Sequence, residues 1–468
     1  MDNIALIGLG PHSKRIYLNY FQKHNSNFNV LIELKSKEKE TKIYLEEHGF
    51  LNIKIYTIPD EIKDYELLPK SEEKKLYDYL MENNVKYLIS STEPKAHNMY
   101  LNFALRHDIN ILSDKPVTVL KGMEEYENVE KLKNQFNELV NTYKESKANC
   151  KIMCQRQYHR GYDYIKQLLK DIVTRYQVPI TYIDIYHCDG NWEMAHDMNK
   201  ENHPYKYGYG KLFHSGYHFI DLLSEFLKIN DNLPTSKKIT QGNVYSNYFT
   251  PNDELAVFNL EDYMRIFKNQ EIPEFYNNPI QGFDKYGEKN YYGLLSFKNK
   301  DNKTITTANL NLLHYGVSRR GWIKSRDYYK KNGRIRHERI NIQVGTLMCI
   351  QVHSYQSKEI SDRTNHETES LPGGLEQFDI EIFRNVDIIG GKPFELIQLK
   401  DLYTEEEKEN MLGYNEYARE EFISNFLNNT SLKGDLLDQK LGIEILYCAA
   451  KGLCNYYNNK EEILNLTI

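Results

Sequence analysis

Four apolar residues, Ile4-Ala5-Leu6-Ile7, run into Gly8-Leu9-Gly10-Pro11-His12-Ser13, and an apolar stripe at Ile16, Tyr17, Tyr20 and Phe21 follows directly. The run is short and uninterrupted, as in a strand buried on both faces, and the stripe suits a helix lying on a sheet. A strand that turns through two glycines into a helix opens a βαβ unit, which commits this part of the chain to a parallel sheet. The alternation continues. Val30-Leu31-Ile32, Ile53-Lys54-Ile55-Tyr56, Lys86-Tyr87-Leu88-Ile89, Ile109-Asn110-Ile111-Leu112 and Lys151-Ile152-Met153 read as further strands. Helices are expected between them at about 39–49, 71–81, 95–106 and 123–143.

Beyond about residue 155 the pattern changes. A helix near 162–176 precedes 180–186, an alternating strand of the half-buried antiparallel kind. Further strands are expected at 291–297, 304–312 and 340–351. The stretch 230–290 carries several Pro, Asn and Asp residues and reads as an insertion or long loops. The tail 414–457 reads as helical, with Ile443, Ile445, Leu446 and Ala450 on one face. A chain of 468 residues exceeds one ordinary core. The expectation is an α/β Rossmann domain with a parallel sheet over 1–150. A C-terminal α+β domain with a large open-faced antiparallel sheet then covers 151–468, with the insertion at 230–290 and a C-terminal helical segment.

Several function classes drop out. With 60 Lys+Arg against 66 Asp+Glu the formal charge is −6, so no basic footprint for nucleic acid exists. No apolar run approaches the roughly 18 residues of a membrane span. The N-terminus lacks the basic start and cleavage site of a signal peptide. Six cysteines are too sparse for a disulfide scaffold, and Cys150 and Cys154 read as core thiols. A cytoplasmic protein is expected. The 38 tyrosines reflect compositional bias better than sugar-stacking surfaces.

The opening turn carries chemistry. Gly8 allows a tight turn, Gly10 leaves the backbone bare, and the helix amides after Pro11 and His12 face outward, an arrangement that receives a pyrophosphate. Ser13 replaces the third glycine and is still small. Glu33 ends the second strand, 25 positions after Gly8, where a carboxylate accepts hydrogen bonds from ribose hydroxyls. That carboxylate repels a 2′-phosphate, so NAD is expected over NADP, with Lys35 and Lys37 softening the preference.

Two further segments are specific. Ser91-Thr92-Glu93-Pro94-Lys95-Ala96-His97 and Ile111-Leu112-Ser113-Asp114-Lys115-Pro116 resemble the Gfo/Idh/MocA oxidoreductases, with their Thr-x-x-x-x-His turn under the cofactor and Glu-Lys-Pro motif, here Asp-Lys-Pro. Gly208-Tyr209-Gly210-Lys211-Leu212-Phe213-His214-Ser215-Gly216-Tyr217-His218-Phe219-Ile220-Asp221 resembles the family's Gly-rich segment and Asp-x-Gly-x-His-x-x-Asp. Gln155-Arg156 resembles the family's first strand beyond the Rossmann unit, and the helix at 438–450 the closing helix. The likeness covers 1–228, extends loosely beyond, and skips the insertion.

The resemblance implies a cofactor site of Gly8, Gly10, Pro11, His12, Ser13, Glu33, Thr92, Pro94, His97, Asp114 and Lys115. It implies Lys115 as the cation beside the nicotinamide and His218 as acid/base, with Asp221 on the same helix face to orient the imidazole or a substrate hydroxyl. Arg156, Trp192, His214 and Tyr217 are candidate substrate contacts. His214 stands where the family places an aspartate, a departure from the usual sugar-alcohol chemistry, and Tyr217 is an alternative proton donor. His214 and His218 have zinc-like helical spacing, but no third ligand stands out and no metal is expected. The basic stretch from Arg319 and Arg320 to Arg339 reads as a solvated hairpin rather than an anion site.

The function implied is NAD-dependent hydride transfer at a carbinol or carbonyl carbon of a sugar, cyclitol or related small molecule, in a homo-oligomer. Two alternatives stand beside it. One is a glycosidase driven by transient oxidation and elimination. The other is a non-catalytic sensor of sugar or dinucleotide.

Overall fold

The computed structural model describes residues 3–191, 198, 205–266, 283–317, 335–356, 377–410, 413–430, 433–460 and 462–468. Its chain separates into two compact units. Unit 1 comprises Met1–Leu120, Lys131–Tyr158 and Asn415–Lys440; unit 2 comprises Lys121–Glu130, His159–Tyr414 and Leu441–Ile468.

Unit 1 is built on six parallel strands: β1 (Ile4–Ile7), β2 (Val30–Leu34), β3 (Lys54–Ile58), β4 (Tyr87–Ser90), β5 (Asn110–Ser113) and β6 (Cys150–Ile152). Their order is β3-β2-β1-β4-β5-β6. β1 lies between β2 and β4 and is buried throughout, and a strand covered on both faces of a parallel sheet is an unbroken apolar run. The chain reverses its direction of travel across the sheet between β1 and β4, and open α/β sheets receive ligands at the carboxyl ends of strands at such a point. The Ser91 amide bonds to the Ile7 carbonyl at 2.9 Å and the Gly8 amide to the Ile32 carbonyl at 2.9 Å, so the ends of β1, β2 and β4 are drawn together there.

The expected first helix forms as three joined pieces, Pro11–Ser13, Lys14–Leu18 and Asn19–Lys23, the middle one wound as a π-helix. The wider π turn brings Leu18 inward beside the expected Ile16, Tyr17, Tyr20 and Phe21. The helix Tyr414–Leu427 shares this helix's hydrophobic cluster through Ala418, Phe422, Ile423 and Phe426. Burying one Phe or Ile side chain is worth about 1.5–3 kcal/mol. The Lys23–Glu420 ion pair at 2.6 Å is worth at most about 1 kcal/mol near the surface, so apolar burial fixes the helix there.

Among the described residues unit 2 carries nine strands: β7 (Tyr182–Asn191), β8 (Gln241–Phe249), β9 (Asn290–Lys298), β10 (Thr304–Tyr315), β11 (Arg336–Val344), β12 (Met348–Gln356), β13 (Asp379–Arg384), β14 (Phe394–Gln398) and β15 (Leu464–Thr467). The order is β14-β13-β12-β11-β7-β10-β9-β8-β15. Three expectations are corrected. β7 pairs antiparallel with β11 but parallel with β10, which the long connection between them permits. The single strand expected at 340–351 is the hairpin β11–β12, turning at Gly345 with φ +51. The stretch read as an insertion or loops contains β8, which pairs with β9 and β15, and the short helices Pro251–Val257 and Leu260–Ile266.

One sheet face is apolar. Ile183 and Ile185 of β7 and Leu310 and Leu312 of β10 are buried on it. The other face is open: register aligns Tyr245, Leu294, Asn309, Asp184, Asn341, Gln351, Glu381 and Leu396 in one row across eight strands. Cys150 and Cys154 are buried free thiols, as expected, with Cys154 lying just beyond β6. Among the described residues no helix is long and apolar enough to cross a membrane.

Candidate functional site

In unit 1 the two glycines of the first turn do different work. Gly8 has φ +83, and a Cβ there would stand 3.0 Å from the Ser91 carbonyl oxygen and 3.1 Å from Thr92 Cγ2. Only glycine fits where β1 and β4 converge. Gly10 is extended, and a Cβ there would meet nothing within 4 Å. Its bare backbone faces open space. Pro11 starts the helix, where its missing N–H costs nothing. The hydroxyls of Ser13, Ser90 and Ser91 are buried around this turn and have no hydrogen-bond partner among the described residues. Glu33 lies at the same place: its carboxylate accepts the Leu9 amide at 2.9 Å and the Leu34 amide at 2.8 Å. Lys35 pairs with Glu38 at 2.5 Å.

The segments after β4 and β5 are braced against each other. Thr92 donates to the Glu93 carbonyl at 3.3 Å, and Pro94 opens a short 3-10 turn ahead of the helix His97–Arg106. His97 is fully buried; Nδ1 is 2.7 Å from the Pro116 carbonyl and Nε2 3.4 Å from that of Thr92. Burial holds its pKa below the usual histidine value. It supports the Asp114-Lys115-Pro116 corner from within, across a cis Lys115–Pro116 bond. Asp114 accepts the Tyr17 hydroxyl at 2.7 Å and lies 3.7 Å from His12 Nε2. The packing around His12 holds its pKa down, helped by Arg419, Arg15 and Lys115 and opposed by Asp114. Gln155 and Arg156, expected on a strand, lie instead in the 3-10 turn Gln155–Tyr158, and Arg156 is buried. Sequence reasoning did not single out Arg419, whose charge acts on His12.

In unit 2 the glycines set a close approach. A Cβ on Gly210 would lie 1.9 Å from the Glu288 carbonyl oxygen, and one on Gly216 2.5 Å from that of Lys211. The π-wound turn Leu212–Gly216 is interrupted at His214, with φ −87 and ψ −114. The helix Tyr217–Lys228 follows, with Tyr217, His218 and Asp221 buried in its first turns. His214 stands edge-on to Tyr205 and Tyr209, with centroids 5.8 and 5.7 Å away. Trp192, His196, His203 and the basic residues Arg319 and Arg320 lie outside the described residues. Among the described residues no group of three or more His, Cys, Asp or Glu is arranged to hold a metal.

A buried polar network adjoins this turn. Lys211 Nζ meets Asp189 at 2.5 Å, Ser215 Oγ at 2.8 Å and His187 Nδ1 at 2.9 Å. Asp189 also accepts Ser215 Oγ at 2.6 Å and His314 Nδ1 at 3.2 Å. The Asn191 amide nitrogen lies 3.3 Å from His314 Nε2. No local pattern signals this network, because bonded partners within it stand up to 125 positions apart.

Glu288 closes the same corner. It is fully buried, its Oε1 accepts the Leu212 amide at 2.6 Å, and Oε2 has no partner among the described residues. Burial pushes its carboxyl up to about 7, against the backbone donors and Lys211. An unfolded glutamate titrates near about 4.3. The folded chain therefore binds the extra proton between these values, and stability linked to Glu288 falls as pH rises through that window. Glu288→Gln is expected to melt higher than the wild type at pH 8 and to converge with it at pH 4. Parallel melting curves across that range would contradict the assignment.

No family model and no curated protein matches the sequence. Solved structures share its fold. An oxidoreductase from Agrobacterium radiobacter in complex with NAD+, L-tartaric acid and magnesium superposes with TM-score 0.53 at 10% identity, covering 100% of this chain and 98% of that one. The WlbA dehydrogenase from Bordetella pertussis, in complex with NADH and UDP-GlcNAcA, gives 0.52 at 10%, covering 100% and 99%. The aldose-aldose oxidoreductase from Caulobacter crescentus, complexed with glycerol, gives 0.54 at 12%, covering 100% and 99%. At these identities the likeness establishes the fold: a Rossmann-like parallel sheet followed by a large mixed, mainly antiparallel sheet.

Proposed function

We propose that the chain is an oxidoreductase that holds NAD on unit 1 and transfers a hydride at a carbinol or carbonyl carbon of a sugar, cyclitol or related small molecule. The observation that carries this reading is the pairing of Gly10, open on its bare side, with Glu33 at the same turn. A dinucleotide needs that opening for its pyrophosphate and that acid for its ribose. Each Glu33 oxygen accepts one backbone amide and keeps a lone pair for a ribose hydroxyl. The partnerless buried hydroxyls of Ser13, Ser90 and Ser91 fit a polar ligand at the turn. The complexes named for the Agrobacterium and Bordetella proteins support the same cofactor, and their acidic or sugar-nucleotide companions support a hydroxylated substrate.

Bound there, the dinucleotide supplies the hydride acceptor or donor. The chain supplies the rest: Lys115 the positive charge that stabilises the reacting oxygen, His218 the site for the hydroxyl proton, and Asp221 the carboxylate that orients His218. Tyr17 and His12 set Asp114 beside Lys115. The open sheet face, with Tyr245, Tyr292, Leu294 and Phe394 exposed on it, supports self-association. Lys115→Ala is expected to fold, to retain NADH, and to lose at least about a hundredfold in turnover with a panel of sugars and cyclitols, on the scale of one lost electrostatic group. Unchanged turnover in that variant would remove Lys115 from the chemistry. A wild type that binds the dinucleotide but never turns over would favour the sensor.

A further inference from the structure

Three side chains of unit 1 meet beside the glycine turn: Tyr17, Asp114 and His12. Tyr17 is fully buried and donates its hydroxyl to Asp114 Oδ1 at 2.7 Å. His12 Nε2 faces the same oxygen at 3.7 Å, within ion-pair range but longer than a hydrogen bond. The His12 ring stands edge-on to Tyr17, with centroids 6.3 Å apart. His12 is the second residue of the turn Pro11–Ser13, just beyond Gly10, and its side chain is 42% exposed. The buried tyrosine thus pins the acid, and the acid faces one nitrogen of a ring still open to solvent.

The charge on that ring depends on what stands beside it. Packing pushes its pKa down to about 4; Arg419, Arg15 and Lys115 act in the same direction and Asp114 opposes them. Even at the ordinary value of about 6.5 an imidazole is neutral at pH 8. A neutral imidazole has one N–H and one acceptor nitrogen. Between two anions the acceptor nitrogen would face a negative charge, so both nitrogens must carry protons. Asp114 is one anion, and a pyrophosphate on the Gly8–Ser13 turn is the second.

We propose that His12 takes up a proton when the dinucleotide binds, and that its imidazolium then bridges the pyrophosphate and Asp114. This rests on the function proposed above. The proton comes from solvent and no covalent bond changes. His12 is a positioning residue: the bridge ties the phosphate turn to the corner that carries Lys115, and it makes cofactor affinity depend on pH.

The test uses the full chain, with NADH and ADP-ribose as probes. Calorimetric titration in buffers of different ionisation enthalpy counts the protons taken up at pH 6 and pH 8 by the wild type, His12→Gln and Asp114→Asn. Glutamine keeps a donor but does not titrate, and the partly exposed site spares the core. The wild type is expected to take up about one proton per NADH at pH 6 and to bind about tenfold more tightly there than at pH 8. ADP-ribose has the pyrophosphate without the nicotinamide and should take up the same proton. His12→Gln should take up none and bind equally at both pH values. Asp114→Asn should lose most of the uptake, because one of the two anions has gone. NADH binding without uptake in the wild type, uptake that persists in His12→Gln, or uptake with NADH but not with ADP-ribose overturns the proposal and leaves the dinucleotide site standing. No binding of either probe at either pH overturns the dinucleotide reading, and this proposal with it.

Discussion

Lys211→Met is expected to unfold unit 2 under conditions where the wild type is fully folded. Lys211 is fully buried and Asp189 is 2% exposed, and the ammonium satisfies Asp189, Ser215 and His187 together. Methionine fills nearly the same volume, so the loss is electrostatic. It leaves the Asp189 carboxylate in the interior without its ammonium partner, beside Ser215 and His314. Removing one partner of a buried ion pair costs about 3–5 kcal/mol, against a total stability on the order of 5–15 kcal/mol. Urea denaturation followed by circular dichroism measures it. The double variant Lys211→Met with Asp189→Asn should recover more than half of the loss, because the stranded charge has gone. A single variant with the wild-type midpoint would show that the pair does not hold this corner.

Gly210→Ala carries the second large effect. The new methyl carbon would fall 1.9 Å from the Glu288 carbonyl oxygen, with the Glu288 backbone nitrogen and carbon each at 2.8 Å. No rotamer relieves a clash between two backbones, so the segments must part. With them go the Lys211 amide bond to the Glu288 carbonyl at 2.9 Å and the Leu212 amide bond to its carboxylate. The turn bearing His214 and the helix bearing His218 begin within a few residues. We expect destabilisation at or beyond about 3 kcal/mol, the upper end of ordinary overpacking, with turnover falling in step. The same change at Gly10 meets nothing within 4 Å and serves as the control; its stability should stay within about 0.5 kcal/mol of the wild type. A Gly210 variant as stable as the Gly10 variant would mean the two segments are not packed as described.

Local signals carried the first unit. Central parallel strands have apolar neighbours above and below, so β1, β2, β4 and β5 stand out as short apolar runs, and the Gly8 turn with Glu33 is a strand-end feature that needs no distant partner. The second unit was harder for identifiable reasons. β11 buries Ile340, Ile342 and Val344 and β12 buries Met348, Ile350 and Val352. The period of two therefore keeps the same phase on either side of the turn at Gly345, and two strands read as one. β8 hides among Gln, Asn and Ser, with Val244 and Tyr248 its buried apolar side chains. The stripe Tyr414, Ala418, Phe422 and Phe426 announces a helix but not the surface it packs on, the cluster with Leu9 and Tyr17. The Lys211 network depends on pairings between β7, β10 and a turn, which no local pattern encodes. The zinc-like spacing of His214 and His218 belongs to a kinked turn leading into a helix, not to one helical face.

The most direct measurement is the thermal stability of the purified chain with NAD, NADH, NADP and NADPH, each at about a hundredfold excess over its dissociation constant. Binding to the folded state alone then stabilises by about 2.7 kcal/mol, a displacement of several degrees. The Gly8–Ser13 turn with Glu33 predicts a rise with NAD and NADH and little with the phosphorylated pair. A rise confined to NADP and NADPH would transfer recognition from Glu33 to Lys35 or Lys37. No rise with any of the four, in protein shown to be free of bound nucleotide, would contradict a dinucleotide site on unit 1.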